Sequence, residues 1–179
     1  MAFTMRARAE GMRDMGPCMS PTNAFYILQG IETLSVRMDK HLSNAKKMLE
    51  YLSKHEGVKW VTHPDLPDHP DHKIVKKILP KGAGSIIAFG VKGGKQAGEA
   101  FINAVKLASN LANVGDAKTL VIHPASTPHA QMDAETMKLA GLTEDMIRFS
   151  VGIEDVEDII EDFENGFRSA RKPRLIANQ

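Results

Sequence analysis

Apolar residues recur at three- and four-residue intervals in two long stretches, which is the spacing of a helix that buries one face. The first stretch predicts a helix over residues 20–54, because Ser20 and Pro21 supply an N-cap and a proline at the first helical position. The second predicts a C-terminal helix with acidic residues in its first turns and basic residues at its end, which suits the helix dipole. The acidic residues are Glu154, Asp155, Glu157 and Asp158.

Short apolar runs bounded by turn-forming residues predict four strands between these helices. They cover residues 58–62, 85–91, 119–122 and 146–151. Shorter helical patterns begin near His69 or Pro70, near Lys95 and at Ala134. Apolar and polar residues alternate along the last strand, which places Arg148 on the face opposite Ile147 and Phe149.

The order of these elements predicts an α+β fold. A two-layer sandwich is expected, with a small mixed or antiparallel sheet covered by helices on one face. Residues 1–19, which are basic and rich in methionine, are expected to be a lead-in segment from another domain. Residues 20–179 are expected to be the domain itself, headed by the long helix and ending in a frayed tail at 173–179.

Composition restricts the possible functions. The chain has 179 residues, of which 42% are hydrophobic, so it can bury one core, and its net charge of +1 gives no field for nucleic acid or an anionic membrane. Cys18 is the single cysteine and cannot form an internal disulfide. Neither a signal peptide nor a membrane-spanning run is evident, so a cytoplasmic location is expected. His63, His69 and His72 lack the spacing of metal ligands, so no metal is expected.

Residues 109–130 are polar where a core segment would be apolar. Asn113 and Gly115 predict a turn, and Thr127 lies in a proline-stiffened segment of small side chains. An accessible backbone of this kind suits a site for a polar small molecule, although an ordinary surface connection has the same composition. Arg148 likewise fits either a site residue on a rigid strand or a solvated arginine on the open face of a sheet.

Several long motifs occur in one order along the chain: RDMGPCMSPTNAFYILQGIETLSVRM, VTHPDLPDHPDH, FGVKGG, SNLANVGDAKTLVIHPASTPHAQM and IRFSVGIEDVEDIIEDFENGF. Over residues 6–172 they resemble the C-terminal portion of the O-acetylhomoserine sulfhydrylases (O-acetylhomoserine aminocarboxypropyltransferases). That family belongs to the pyridoxal-phosphate (PLP) enzymes of cysteine and methionine metabolism. The motif SNLANVGDAKTL favours this branch over the cystathionine synthases and lyases, which have a shorter SLGG-type version.

This resemblance implies the C-terminal domain of a fold-type I PLP enzyme. The intact enzyme would make homocysteine or methionine from O-acetylhomoserine and sulfide or a thiol, with PLP as the electron sink. The implied partners are an amino-acid substrate, a PLP-binding domain N-terminal to this chain, and further copies of the enzyme in a homo-oligomer. A domain of a related cystathionine synthase or methionine γ-lyase, and a non-catalytic α+β interaction module, are the alternatives.

The resemblance also assigns substrate binding to three residues. Arg148 in IRFSVGIED matches the arginine that holds the substrate's α-carboxylate, and Asn113 in ANVGD matches a position that also contacts it. Thr127 in HPASTPH lies in a loop that lines the site. Pro128 stands where the family commonly has a second threonine, which removes a hydroxyl group and a backbone donor. A role as an ordinary turn residue explains Asn113 equally well.

The family's cofactor-binding lysine lies in a Ser-x-Thr-Lys stretch, and no such stretch occurs in this chain. Lys118 is the nearest candidate, but its place just before a strand is typical of a surface lysine. The sequence therefore predicts a fragment that contains no catalytic residue, binds no PLP and is inactive alone.

Overall fold

The computed structural model describes residues 1–127 and 134–171. The chain divides into two compact units, residues 1–36 and a second unit that begins at Arg37. The first unit contains consecutive helical turns over Ala2–Arg6, Ala7–Met12 and Arg13–Met15, followed by helix α1 (Pro21–Glu32). The predicted frayed tail and Pro128 lie outside the described residues.

The helix predicted over residues 20–54 is divided at Thr33 into α1 and α2 (Leu34–Lys54). α1 begins as predicted, with the Ser20 hydroxyl accepting a hydrogen bond from the Asn23 N–H at 3.2 Å. Thr33 leaves the helical region with φ −98° and ψ 2°. It follows Gly30 and a β-branched isoleucine, residues of low helix propensity. The prediction of one uninterrupted helix is thus corrected, because apolar spacing does not report a local break in the backbone.

The second unit contains one five-stranded sheet with its helices. After α2, the elements in chain order are β1 (Val58–Thr62), α3 (His72–Ile78), β2 (Ile86–Val91), α4 (Gly94–Ala104), β3 (Ser109–Asn110), β4 (Leu120–Ile122), a 3-10 turn (Pro124–Ser126), α5 (Ala134–Leu139), β5 (Met146–Ser150) and α6 (Val156–Ala170). The strand order across the sheet is β1-β2-β5-β4-β3. β3 pairs parallel with β4 and the other pairings are antiparallel, which confirms the predicted mixed sheet.

One face of this sheet forms the core. Phe89 pairs with Ile147, and Phe149 pairs with both Ile87 and Val121, so these side chains lie on the same face, where all are fully buried. Residues of α2, α4 and α6 complete the same apolar cluster. The rings of Phe149 and of a phenylalanine on α6 have centroids 4.9 Å apart. The predicted two-layer α+β arrangement, with the last helix covering β5, is confirmed.

α6 begins later than its acidic pattern indicated. Asp155 is the N-cap, and its side chain accepts a hydrogen bond from the Glu157 N–H at 3.0 Å. Glu154 therefore lies before the helix, and only Glu157 and Asp158 occupy its first turn. Across residues 1–127 and 134–171, no helix is both long enough and apolar enough to cross a membrane.

Candidate functional site

Arg148 lies in the middle strand of the sheet, on the face opposite the phenylalanine core. It pairs with Ala88 of β2 on one side and with Ile122 of β4 on the other. Its chain neighbours Ile147 and Phe149 are fully buried, whereas Arg148 itself is half-buried. Ala88 contributes only a methyl group beside the arginine, whereas Ile122 on the other side is a large apolar residue that is only 7% exposed.

The Arg148 guanidinium has no ion-pair or hydrogen-bond partner in residues 1–127 and 134–171. Other arginines differ: Arg171 pairs with Glu56, and Arg168 donates to the Asn165 side chain at 2.7 Å. A guanidinium without a protein partner can bind an anion through charge-assisted hydrogen bonds. Its planar fork fits a carboxylate or phosphate, either of which can accept two parallel bonds.

Asn113 lies in the exposed loop between β3 and β4. Its Oδ1 accepts a hydrogen bond from the next backbone N–H at 2.8 Å. Gly115 follows with φ 73°, in the left-handed region that residues with a side chain rarely adopt. This is the turn predicted from the sequence. The loop leads into the end of β4 where Leu120 pairs with Ser150, away from the end that pairs with Arg148.

Thr127 follows the 3-10 turn at the other end of β4. Its side chain is exposed, and its hydroxyl donates to the His123 carbonyl at 2.8 Å. His123 is fully buried, and both ring nitrogens are satisfied: its Nε2 donates to the Glu144 carbonyl and its Nδ1 accepts from the Ser126 hydroxyl, both at 2.8 Å. His123 and Ser126 therefore anchor this loop. Pro128, the residue that departs from the family pattern, comes directly after the described part of the loop.

Only two of these three residues, Arg148 and Thr127, lie at the same end of β4. In the described chain, no hydrogen bond joins Arg148, Asn113 and Thr127 to one another. Register places Arg148 next to the end of β4 that leads to Thr127, with Asn113 beyond the opposite end. A groove of about 480 Å³ lies elsewhere, between α2 and residues 65–82, and none of the three lines it. Their shared role in binding a carboxylate stays a prediction.

Every lysine side chain whose burial the structure describes is exposed. Lys118 is among them, and its backbone N–H is bonded to the Asp116 carboxylate at 3.0 Å. A lysine that captures PLP must lose its proton, which burial or a neighbouring cation promotes. The described residues therefore do not fit a covalent PLP site, and we assign no cofactor-anchoring residue to them.

The histidines near the aspartates stabilise their own loop. His63 is buried, its Nε2 donates to the Gly84 carbonyl at 3.2 Å, and its Nδ1 accepts from the Asp65 N–H at 3.1 Å. Burial lowers the pKa of His63. His72 donates to the Pro64 carbonyl at 2.9 Å. The part of the chain that the structure describes contains no group of three or more His, Cys, Asp or Glu residues arranged to hold a metal ion.

The sequence interpretation missed a contact between Thr119 and Glu154. The Glu154 carboxylate accepts hydrogen bonds from the Thr119 N–H at 2.7 Å and from the Thr119 hydroxyl at 2.9 Å. This contact joins the loop that carries Asn113 to the segment after β5. From the sequence alone, Thr119 is explained as an ordinary strand residue and Glu154 as an acid near a helix N-terminus. No local pattern indicated that the two would meet.

Comparisons with known proteins identify the family. A sequence profile of the family described as Cys/Met metabolism PLP-dependent enzyme matches residues 2–168. Homocysteine synthase of Schizosaccharomyces pombe is 49% identical over 163 residues, which are 91% of this chain and 38% of that protein. O-acetyl-L-homoserine sulfhydrylase of Leptospira meyeri is 44% identical over 170 residues, covering 94% of this chain and 38% of that protein.

Solved structures agree with these relatives. A crystal structure described as an O-acetylhomoserine (thiol)-lyase of Campylobacter jejuni, containing a pyridoxyl-lysine, has a TM-score of 0.83 at 36% identity and covers 94% of this chain and 40% of its own. Cystathionine γ-synthase of Xanthomonas oryzae, in complex with cystathionine, has a TM-score of 0.79 at 34% identity, with coverage of 90% and 41%. The chain spans about two fifths of the length of these proteins. It belongs to the Cys/Met metabolism PLP-dependent enzyme family.

Proposed function

We propose that this chain is the substrate-binding C-terminal domain of a PLP-dependent O-acetylhomoserine sulfhydrylase, in which Arg148 binds the α-carboxylate of the substrate. The position of Arg148 carries the proposal. Arg148 is a half-buried residue on the middle strand, and its guanidinium has no partner in the described residues. Enzymes of cysteine and methionine metabolism act on amino acids, and the α-carboxylate is the anion that such substrates share.

Arg148 is suited to hold this carboxylate because a guanidinium presents two N–H donors in the plane of the two carboxylate oxygens. β5 is flanked by a strand on each side, so the contact would fix the orientation of the substrate as well as its affinity. PLP, held by residues outside the described chain, supplies the electron sink that allows acetate to leave O-acetylhomoserine and sulfide or a thiol to take its place. Residues of this domain bind and orient the substrate.

Asn113 and Thr127 are proposed as further substrate contacts. The Asn113 Oδ1 is bonded to a backbone N–H, which leaves its side-chain NH2 group as a donor for a carboxylate oxygen. The Thr127 hydroxyl donates to the His123 carbonyl, so it must rotate before it can donate to a ligand. We therefore expect Asn113 to contribute more to binding than Thr127.

The complete protein is proposed to contain a PLP-binding domain N-terminal to this chain, and to act as a homo-oligomer in the cytoplasm. The exposure of the described lysines supports a cofactor lysine elsewhere in the protein. Helix α1 adds support for a protein partner, because its large apolar side chains are more than half exposed at Phe25, Leu28 and Ile31. Exposed apolar residues clustered on one helix are typical of a surface that another protein segment covers.

Two other functions have some support. Likeness to cystathionine γ-synthase favours a synthase that uses cysteine. Its structure is 34% identical to this chain, against 36% for the O-acetylhomoserine (thiol)-lyase structure, and the sequence relatives at 44% and 49% are a sulfhydrylase and a homocysteine synthase. The exposed apolar residues of α1 also suit a non-catalytic interaction module. Assays of the complete gene product with O-acetylhomoserine separate the three: sulfide as acceptor indicates the sulfhydrylase, cysteine indicates the synthase, and inactivity with both indicates the module.

The decisive variant is Arg148→Lys in the complete gene product, assayed with O-acetylhomoserine and sulfide. Lysine keeps the charge but cannot form the two-pronged contact. The loss of one charge-assisted hydrogen bond, about 1.5–3 kcal/mol, predicts a fall in kcat/KM of about 10- to 150-fold. Arg168→Lys, on the exposed surface of α6, is the matched control and should change kcat/KM less than about twofold. An unchanged kcat/KM for Arg148→Lys would remove this residue from the site.

A further inference from the structure

The segment directly after β5 is fixed to α2 by hydrogen bonds. His41 Nδ1 donates to the Val151 carbonyl at 2.7 Å, and Asn44 Nδ2 donates to the carbonyls of Gly152 at 3.1 Å and Glu154 at 2.8 Å. His41 and Asn44 are each 1% exposed. Because these contacts satisfy three of the four carbonyl groups from Val151 to Glu154, they set the path of the chain as it leaves the strand of Arg148.

The same segment is joined to the loop that carries Asn113. Both oxygens of the Glu154 carboxylate accept hydrogen bonds from Thr119, and the Thr119 hydroxyl in turn accepts from the Gly152 N–H at 2.9 Å. The Ile153 N–H donates to the Ala117 carbonyl, also at 2.9 Å. Thr119 is fully buried, so its hydroxyl both donates and accepts without competition from water.

Because Gly152 has no side chain, Glu154, Thr119 and Ala117 can lie close to its backbone. A Cβ atom at Gly152 would collide with Glu154 Oε2, with the Thr119 nitrogen and with the Ala117 carbonyl oxygen. The φ angle of Gly152 is not in the left-handed region, so the requirement for glycine comes from space and not from backbone conformation. The structure therefore explains the glycine in the sequence SVGIE by the approach of Thr119 and Glu154.

Other hydrogen bonds of the loop are local. The Leu111 N–H donates to Ser109, the Asn113 side chain accepts from the next residue, and the Asp116 side chain accepts from Lys118. Among the described residues, the bond from Ile153 to Ala117 is the hydrogen bond that ties residues 111–118 to another segment. The position of Asn113 relative to β5 thus depends on this bond and on the neighbouring contact between Thr119 and Glu154.

From these contacts we infer that Thr119 and Glu154 are positioning residues for substrate binding. They hold the loop of Asn113 at a fixed place relative to the strand of Arg148, so that both can contact the same carboxylate. Neither residue touches the substrate itself. This inference rests on the proposed function, because it concerns the substrate contacts proposed there for Arg148 and Asn113.

Two substitutions of Thr119 distinguish the loss of its hydroxyl group from a change in the size of its side chain. Thr119→Val keeps the shape of the side chain but removes the hydroxyl, which leaves the Gly152 N–H without its acceptor. Thr119→Ser keeps the hydroxyl and loses only a methyl group. Tyr51→Phe is the control for a loss of stability elsewhere, because it removes a hydrogen bond of 2.8 Å between α2 and Glu164 on α6.

The first measurement is amide hydrogen exchange on the 179-residue chain. Thr119→Val should speed exchange at Gly152 and Ile153 by at least about tenfold, whereas Thr119→Ser should not. The second is steady-state kinetics of the complete gene product. Thr119→Val should raise KM for O-acetylhomoserine by about tenfold or more with little change in kcat, since a small misplacement of a binding group has effects of this size. Thr119→Ser should stay within about twofold of the native KM.

The outcomes are distinguishable. If Arg148→Lys leaves kcat/KM unchanged, the proposed function fails, whatever the Thr119 variants show. If Arg148→Lys lowers kcat/KM but Thr119→Val leaves KM unchanged, the positioning inference is overturned and the proposed function stands. An equal rise in KM for Tyr51→Phe would also overturn the inference, because general loosening of the domain would then explain the effect.

Discussion

Substitution of Asp162 on α6 tests how strongly the helix layer holds the chain that enters the sheet. Its side chain is buried, and the residue is only 5% exposed. One carboxylate oxygen accepts a hydrogen bond from the Lys106 N–H at 2.7 Å, and the other accepts from the Ala108 N–H at 2.9 Å. These donors lie between α4 and β3, so Asp162 ties the chain to α6 just before it enters the sheet.

The substitution Asp162→Asn keeps the shape of this side chain. One acceptor oxygen becomes an NH2 group, which then faces a backbone N–H that cannot bond to it. The loss of one charge-assisted hydrogen bond and the unsatisfied N–H together should cost about 2–3 kcal/mol of unfolding free energy. For a chain of this length, that corresponds to a fall in Tm of about 4–12 °C.

Urea titration of the 179-residue chain measures this loss. Circular dichroism follows the helices, and the fluorescence of Trp60, the single tryptophan, follows the edge of the sheet. The m-value should not change if only stability is altered. Asp158→Asn, an exposed acid in the first turn of α6, is the control and should cost no more than about 1 kcal/mol through the helix dipole. A loss below about 0.5 kcal/mol for Asp162→Asn would refute the reasoning.

Two other predictions concern the imidazole of His55 and the lysines. Burial lowers the pKa of His55 below its ordinary value of 6.5, partly opposed by Glu164, so the unfolded chain takes up a proton more readily as the pH falls. The contribution of His55 to the unfolding free energy should therefore be fully present above pH 6.5 and should decrease below it. His55→Gln should weaken this pH dependence in urea titrations from about pH 5 to 7.5. An unaltered slope of unfolding free energy against pH would contradict the assignment. The 179-residue chain mixed with PLP and reduced with borohydride should yield no stoichiometric lysine adduct in peptide mass analysis and no homocysteine from O-acetylhomoserine and sulfide, because the described lysines are exposed. A stoichiometric adduct on one lysine, together with homocysteine formation, would show that the chain is not an incomplete part of the enzyme.

Periodicity in the sequence predicted most of the elements because burial on one face imposes it. The bounds predicted for β1 and for the short helix from Ala134 agree with the structure, and the alternation in β5 placed Arg148 opposite the core. The break at Thr33 was not predictable from apolar spacing, since such breaks depend on backbone angles at one residue. The strand Ser109–Asn110 is too short to give a period of its own.

The candidate site was less accessible to sequence reasoning. Residue patterns put Arg148 on the open face of a strand but by themselves favoured a solvated arginine, and the resemblance to the sulfhydrylases supplied the role. That Arg148 has no partner among the described residues is evident only from the three-dimensional structure. The contact between Thr119 and Glu154 depends on two segments that are distant in sequence, so no local pattern could reveal it. Sequence alone assigned Glu154 to a helix dipole, although its oxygens are bonded to Thr119.

β5 links the stability of the domain to the position of its candidate functional residue. Ile147 and Phe149 enter the core, where the Phe149 ring lies 4.9 Å from that of Phe163, and strand alternation places Arg148 on the other face. A slip of one residue would turn the guanidinium into a cluster of phenylalanine rings and would expose two buried apolar side chains. Both changes are unfavourable, so packing of the core fixes the side on which Arg148 emerges. The strand holds the arginine without help from a carboxylate in the described chain, so its hydrogen-bond donors have no partner among residues 1–127 and 134–171.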